Sequence, residues 1–312
     1  MAKVTVAIPT YNREAYLKDC IQSILQQSFQ DFEVIVFDNH SDFDTKRLVQ
    51  SFNDSRIKLL INSENIGGIA NLDQAFCYKY ATPYVIVFHD DDVMHPDLLL
   101  KEVALLDNNE NIVFVVTDLH EAKIDGSVFE FPEVKNNKST LIFSDYTDLV
   151  RLLLKHFGFC FDSIMYRTFA LNGIVEYSKR FNKWCDRPFF IDIAKKGMVA
   201  VIREGLVNYR VHNGQDSMAE HSAEFNYFIN VYNYYKACLP QPLTKADKRL
   251  FHRWSTNNLI LLIASFSSGA STYFKLLKQC YEMDLFKPSY INIRGVYYII
   301  LVVKKWIRMF FK

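Results

Sequence analysis

The chain has 312 residues, 50% of them hydrophobic, and its 36 Lys and Arg against 35 Asp and Glu leave a net charge of +1. That balance excludes a general affinity for nucleic acid, and a chain this long can bury its core without staples. The six cysteines are scattered without a C-x-x-C pair, which excludes a structural zinc site and fits a reduced, cytoplasmic protein. No window is apolar for long enough to span a membrane, and the N-terminus enters a strand pattern at once, which leaves no room for a signal peptide.

Lys3 to Ile8 is β-branched and reads as a strand. Pro9-Thr10-Tyr11-Asn12 breaks it, and Asn12 is expected to cap the next helix, which runs to about Gln27 with Leu17, Ile21, Ile24 and Leu25 at helical spacing. A second strand, Glu33 to Phe37, ends at Asp38-Asn39. A helix over Asp44 to Phe52 and a strand over Arg56 to Ile61 follow. Asn65-Ile66-Gly67-Gly68 then turns into a helix from about Ile69 to Tyr80. Tyr84 to Phe88 is a continuous apolar run, the pattern of a strand buried on both faces. It stops at His89-Asp90-Asp91-Asp92, and Pro96 opens a helix to about Asp107 before a fifth strand, Ile112 to Val116. The alternation predicts right-handed βαβ units: an α/β fold with a mainly parallel sheet flanked by helices. Ligands of such sheets sit at the carboxyl ends of the strands. Those ends carry Pro9-Thr10-Tyr11, Asp38-Asn39 and Asp90-Asp91-Asp92, so the site is expected there.

Residues 121–138 loosen into a hairpin or excursion loop, and Asp145 to Phe157 reads as a helix. Asp162 to Tyr166 and Val199 to Arg203 read as strands, with a helix over Pro188 to Lys196 between them. Glu224 to Cys238 and Lys245 to Cys280 are helical and aromatic-rich. The division expected is a domain over 1–222 and a helical C-terminal region over 223–312. Three adjacent carboxylates repel one another, so the triplet holds either a divalent cation shared with a phosphate-bearing ligand or a solvated turn capping the next helix.

Five blocks together resemble family 2 glycosyltransferases, inverting nucleotide-sugar enzymes with a single GT-A domain. They are Val6-Ala7-Ile8-Pro9-Thr10-Tyr11-Asn12-Arg13; Tyr16 to Asp38; Asn65-Ile66-Gly67-Gly68; the acidic triplet with Pro96; and Cys185-Asp186 followed by Tyr209-Arg210-Val211-His212. The likeness spans roughly residues 3 to 217. It implies a nucleotide-diphosphate sugar donor, a glycan acceptor, and Mg2+ or Mn2+. It sets Asp90, Asp91 and Asp92 at the family's D-x-D metal motif: strict spacing selects Asp90 and Asp92, whereas counting back from Pro96 selects Asp91. His212 would complete the metal shell, and Arg210 would contact phosphate. The nucleoside would lie against Pro9, Thr10, Tyr11, Asp38 and Asn39, with Asn65 and Asn71 nearby; Asp38 could instead cap the following helix. The base is left open among UDP, dTDP, GDP and CDP. Asp186 would be the general base, or else a partner of Arg187 or a helix cap.

From Ile299 to Lys312 a helical wheel puts Lys304, Lys305, Arg308 and Lys312 on one stripe opposite Val303, Trp306, Ile307 and Phe310. Such a helix lies in a membrane interface, or packs on the domain or on a second copy. A membrane-surface position would suit an acceptor on a polyprenyl diphosphate, and the family analogy points to bacterial O-antigen or capsule synthesis at the inner face of the cell membrane. Two other readings stand beside it. A sugar-nucleotide nucleotidyltransferase would need a Gly-rich basic loop after the first strand, and a non-catalytic carbohydrate-binding subunit would keep only the fold.

Overall fold

The computed structural model describes residues 2–123, 140–155, 159–173, 180–181, 184–211, 224–266, 270–293, 295–297, 299–300 and 303–304. The chain divides into two compact units, Met1–Leu149 with Gly158–Lys179 and Cys185–Gln215, and Val150–Phe157 with Arg180–Trp184 and Asp216–Lys312.

The first unit is built on nine strands: β1 (Val4–Thr10), β2 (Phe32–Asp38), β3 (Ile57–Ile61), β4 (Tyr84–Val87), β5 (Val93–Met94), β6 (Ile112–Lys123), β7 (Leu141–Phe143), β8 (Ile164–Arg167) and β9 (Met198–Val211). Their order is β3-β2-β1-β4-β8-β6-β9-β5, with β7 also paired to β9. β1, β2, β3 and β4 are parallel neighbours, and β6 and β9 run the same way, whereas β8 enters antiparallel between β4 and β6. The sheet is thus mainly parallel, and residues alternate to both of its faces. On one face α1 (Glu14–Leu25), α2 (Thr45–Ser51) and α4 (Leu98–Asn108) cover Val4, Val6, Ile8, Val34 and Ile86. α1 contributes Leu17, Cys20, Ile21 and Ile24, none with any exposed surface; burying each aliphatic side chain is worth about 1.5–3 kcal/mol. The other face carries an aromatic cluster with α3 (Gly68–Cys77) and α6 (Asp186–Ala194): Phe76, Phe161, Tyr166, Phe189 and Phe190 meet at ring separations of 4.6 to 6.1 Å.

Several local expectations are revised. Asn12 does not cap α1, whose N-cap is Arg13 without a side-chain bond. Asn12 takes a left-handed φ of 52° and commits its amide to Asp42, to which Nδ2 donates at 2.7 Å and from whose N–H Oδ1 accepts at 2.6 Å. The helix expected to Tyr80 stops at Cys77, where Tyr78 turns extended. The strand expected over Val199 to Arg203 runs on to Val211, so Tyr209-Arg210-Val211 is strand. The strand expected from Asp162 begins at Ile164, because Phe161–Ser163 forms a 3-10 turn. Of the excursion, 121–123 belong to β6 and the remainder lies outside the described residues.

The second unit contains the second half of α5 (Tyr146–Leu154), α7 (Glu224–Cys238), α8 (Lys245–Phe266) and α9 (Ala270–Glu282). One aromatic core centres on Trp254, stacked on Phe228 at 5.1 Å and edged by Tyr235 and Trp184, which is why residues near 184 count with this unit. The single helix expected over Lys245 to Cys280 is two, α8 and α9. Thr244 caps the start of α8, its Oγ1 accepting from the N–H of Asp247 at 3.0 Å and donating to Asp247 Oδ2 at 2.7 Å. Among the described residues no helix is long and apolar enough to cross a membrane. The basic stripe of the tail lies outside the described residues except for Lys304.

Candidate active site

The apolar run of β4 carries the chain to the carboxyl edge of the sheet and delivers Asp90, Asp91 and Asp92 with 3%, 6% and 0% of their surface exposed. This is no solvated turn, and the triplet does not cap α4, whose N-cap is Asp97. Three buried carboxylates need compensation. Asp90 accepts from Thr10 Oγ1 at 2.7 Å and from Arg13 Nη1 at 3.0 Å, and the same guanidinium nitrogen donates to Asp91 Oδ2 at 2.8 Å. Burial lifts the Asp90 carboxyl and Asp91 adds to the rise; Arg13 and the Thr10 hydroxyl oppose it, and the balance is about 6. Asp92 accepts at Oδ1 from the backbone N–H of Arg210, 2.8 Å away. Its Oδ2 has no hydrogen-bond partner among the described residues and lies 3.7 Å from His89 Nδ1.

A fourth acid joins this edge. β8 pairs antiparallel with β4, Ile86 opposite Met165, and continuing that register brings the turn before β8 alongside His89. Asp162 stands there without exposed surface, and neither of its oxygens has a hydrogen-bond partner among the described residues. Ligand atoms of His89, Asp92 and Asp162 all lie within 4.8 Å of one another. Burial raises the Asp162 carboxyl well above the ordinary range, and the negative charge of Asp92 adds to this. Burial opposes charge on His89 too, but the nearby carboxylate of Asp92 and the charges of Asp162 and Asp91 outweigh that and raise it to about 10. Orphaned carboxylate oxygens beside an imidazole are a donor set that suits a divalent cation. The residues present therefore fit Mg2+ or Mn2+.

Polar residues of α1 and its exit hold the segment behind the triplet. Ser23 Oγ accepts from the N–H of Met94 at 3.1 Å; the buried Gln27 donates to the His95 carbonyl at 2.7 Å and accepts from the N–H of Leu99 at 3.0 Å. The resembling Ser23–Gln27 stretch thus serves as a latch rather than as contact surface.

At the ends of β1 to β3 the amides knit together. Asn39 Nδ2 donates to Asn65 Oδ1 at 2.8 Å; Asn39 Oδ1 accepts from Asn62 Nδ2 at 3.2 Å and from the N–H of Ile66 at 2.9 Å. Asn62 also reaches Asn71 Oδ1, and Asn71 donates to the Phe37 carbonyl. Gly67 closes this turn with a φ of 88°, which favours glycine. Asn62 carried no signal in the sequence beyond its place at a strand end. Asp38, 2% exposed, accepts at one oxygen from the N–H and hydroxyl of Ser41; the cap of α2 is Asp44 instead. Pro9 and Thr10 close β1, and Tyr11 beside them is 39% exposed.

Asp186 is the first residue of α6 and accepts from the N–H of Arg187 at 2.7 Å. Burial raises its carboxyl above the usual range, while the Arg187 charge and N–H pull it back. The aromatic cluster fixes both Asp186, through Phe189 and Phe190, and Asp162, through Phe161. The charges of Asp162, Asp186 and Asp92 all act on the Cys160 thiol, whose value burial pushes up. The structure thus gathers Thr10, Arg13, Asp90, Asp91, Asp92 and Asp162 directly and Asp38 one strand over, while Asp186 stands at the start of α6. Arg210 is a strand residue, its guanidinium 2.9 Å from Asp19 and over the Tyr16 ring. His212 lies outside the described residues.

Sequence comparison finds a match to glycosyl transferase family 2 over residues 5–174. An uncharacterized glycosyltransferase of Haemophilus influenzae is 28% identical over 230 residues, 69% of this chain and 67% of its own length. The UDP-Glc:alpha-D-GlcNAc-diphosphoundecaprenol beta-1,3-glucosyltransferase WfgD of Escherichia coli is 34% identical over 113 residues, 36% of this chain and 44% of that protein. Among solved structures, the mannosyltransferase PcManGT from Pyrobaculum calidifontis, in complex with GDP-Man and Mn2+, superposes with a TM-score of 0.57 at 17% identity, covering 98% of this chain and 87% of that one; at that identity the likeness speaks for the GT-A fold.

Proposed function

Because the chain belongs to glycosyl transferase family 2 and is a glycosyltransferase, we propose that it moves a sugar, with inversion, from a nucleotide diphosphate to a hydroxyl of a glycan acceptor carried on a polyprenyl diphosphate. The observation that carries this reading is the buried acidic mouth at the sheet edge, with unpartnered oxygens on Asp92 and Asp162 and a raised carboxyl on Asp186. A carboxyl lifted by burial is suited to take a proton. Asp186 would take it from the acceptor hydroxyl as that oxygen attacks the anomeric carbon, opposite to the bond breaking toward the diphosphate. Asp38 and the asparagine network would hold the nucleoside side. A divalent cation, when bound, would neutralise charge developing on the leaving diphosphate; Asp90 to Asp92, with His89 and Asp162, are the residues that would hold it. The lipid-linked acceptor follows the printed activity of the Escherichia coli relative, and a surface-polysaccharide role at the membrane's inner face follows from such an acceptor.

Transfer and hydrolysis from a panel of UDP-, dTDP-, GDP- and CDP-sugars, with Mn2+ and with EDTA, test the reading. Asp186→Asn should lower transfer by about a hundredfold or more while keeping the thermal shift given by the donor. Normal turnover by that variant would remove Asp186 from the role, and no turnover of any donor by the parent chain would sink the proposal.

A further inference from the structure

We propose a second anion site, for a phosphate- or diphosphate-bearing ligand, in the C-terminal helical unit. A cavity of about 840 Å3 opens there between the end of α5, the first turns of α8 and the segment near Tyr290. Arg151 and Lys155 line it from one side and Arg249 and Arg253 from the other, against one carboxylate, Asp247. Four cations less one anion leave a local charge of +3, in a chain whose total is +1. That single acid is already engaged, accepting from Arg151 Nε at 2.9 Å and from the capping Thr244 at 2.7 Å. Among the described residues no carboxylate pairs with Lys155, Arg249 or Arg253.

Arg249 and Arg253 are one helical turn apart on α8, a like-charge i,i+4 pair that costs the helix stability unless something sits between them. Both project into the cavity near the positive end of the helix dipole. Guanidinium forks match phosphate oxygens in pairs, so a basic pocket whose one carboxylate is already engaged selects phosphate over a neutral sugar. Ser289 and Tyr290 add neutral polar surface on the remaining wall. The phosphate can belong to a lipid headgroup or to a soluble compound; the recognising chemistry is the same. Nothing in this inference depends on glycosyl transfer.

The full chain should be titrated calorimetrically with inorganic pyrophosphate in EDTA at low salt, and sedimented with phosphatidylglycerol or phosphatidylcholine vesicles. Arg249→Gln with Arg253→Gln is the test; Lys275→Gln with Lys278→Gln, on exposed positions of α9, is the control of equal charge loss. All four side chains lie at exposed positions, and matched melting curves confirm folding. The test variant should weaken pyrophosphate binding, or phosphatidylglycerol binding, by about tenfold or more, with the control unchanged and phosphatidylcholine ignored. Loss in the pyrophosphate arm alone identifies a soluble ligand, and loss in the vesicle arm alone identifies a headgroup. If parent and test variant coincide in both arms, or the control loses as much, the site is refuted.

Discussion

Asp162→Asn separates a cation site from a mere crowd of acids. Asp162 is fully buried, with no hydrogen-bond partner for either oxygen among the described residues, and it faces Asp92 Oδ2, which is in the same condition. Without a cation, the folded chain at neutral pH must either hold a proton there or keep two anions together. An unsatisfied buried acceptor costs about 1–3 kcal/mol. Asparagine keeps the shape, removes the charge, and offers an N–H to Asp92. In EDTA the variant should therefore be more stable by about 1–2 kcal/mol, roughly 2–8 °C in Tm. The sign follows from the raised carboxyl: its folded value lies above the unfolded 3.8, so the penalty is absent in acid and grows as pH rises through the folded value. The advantage of the variant should shrink toward pH 4. With Mn2+ the ranking should reverse, because a cation held at a hundredfold excess over its Kd adds about 2.7 kcal/mol to the parent and less to a chain lacking one ligand. Melting curves in EDTA and in Mn2+, at pH 4.5 and 7.5, read all of this. A variant that is less stable in EDTA at both pH values, yet gains the full Mn2+ shift, would refute the reasoning.

Arg13→Ala removes the one guanidinium shared by Asp90 and Asp91; with Arg13 itself 24% exposed, a loss of about 2–3 kcal/mol is expected, and Mn2+ should raise the Tm of the variant more than that of the parent. A smaller metal response in the variant would contradict this. The acid limb of kcat/KM should lie above the ordinary carboxylate range, since burial lifts Asp186, and Arg187→Gln should move the limb to still higher pH; an unmoved limb would assign it to another group. Asn39→Asp replaces the donor to Asn65 Oδ1 with an acceptor, so unfolding free energy should fall by about 1–2 kcal/mol and donor affinity with it, both measurable by urea titration and nucleotide binding.

Much of the first unit could be read from the sequence because its signals are local. Apolar runs of strand length, each ending in polar residues, fix β1 to β4 and place Thr10, Asp38 and Asp90 to Asp92 at a common edge. Asp162 was not legible, for a topological reason. Read as one more parallel strand, residues 162–166 would start at the far edge of the sheet; only because β8 runs antiparallel does the turn before it reach His89. The available hint was a single acid inside an otherwise apolar stretch, Phe159-Cys160-Phe161-Asp162-Ser163-Ile164. Arg13 was missed because its partners lie 77 and 78 residues away, and the latch of Ser23 and Gln27 because polar residues on a helix normally face water. The cavity of the second unit draws on residues about 100 positions apart, a juxtaposition no window can show.

Charge at the two sites argues for opposite behaviour toward phosphate. At the sheet edge Asp90, Asp91, Asp92 and Asp162 stand against Arg13 and a protonated His89, a formal charge of −2, or −1 when Asp162 holds a proton. A nucleotide diphosphate approaching such a mouth is repelled until a divalent cation offsets the local negative charge. The C-terminal cavity, at +3, has no such requirement. Donor affinity should therefore collapse in EDTA, whereas pyrophosphate retention by Arg249 and Arg253 should survive the chelator and fall with added salt. Titration of the donor and of pyrophosphate across both conditions checks the pair, and donor binding that is equally tight in EDTA would mean the acidic edge meets something other than a diphosphate.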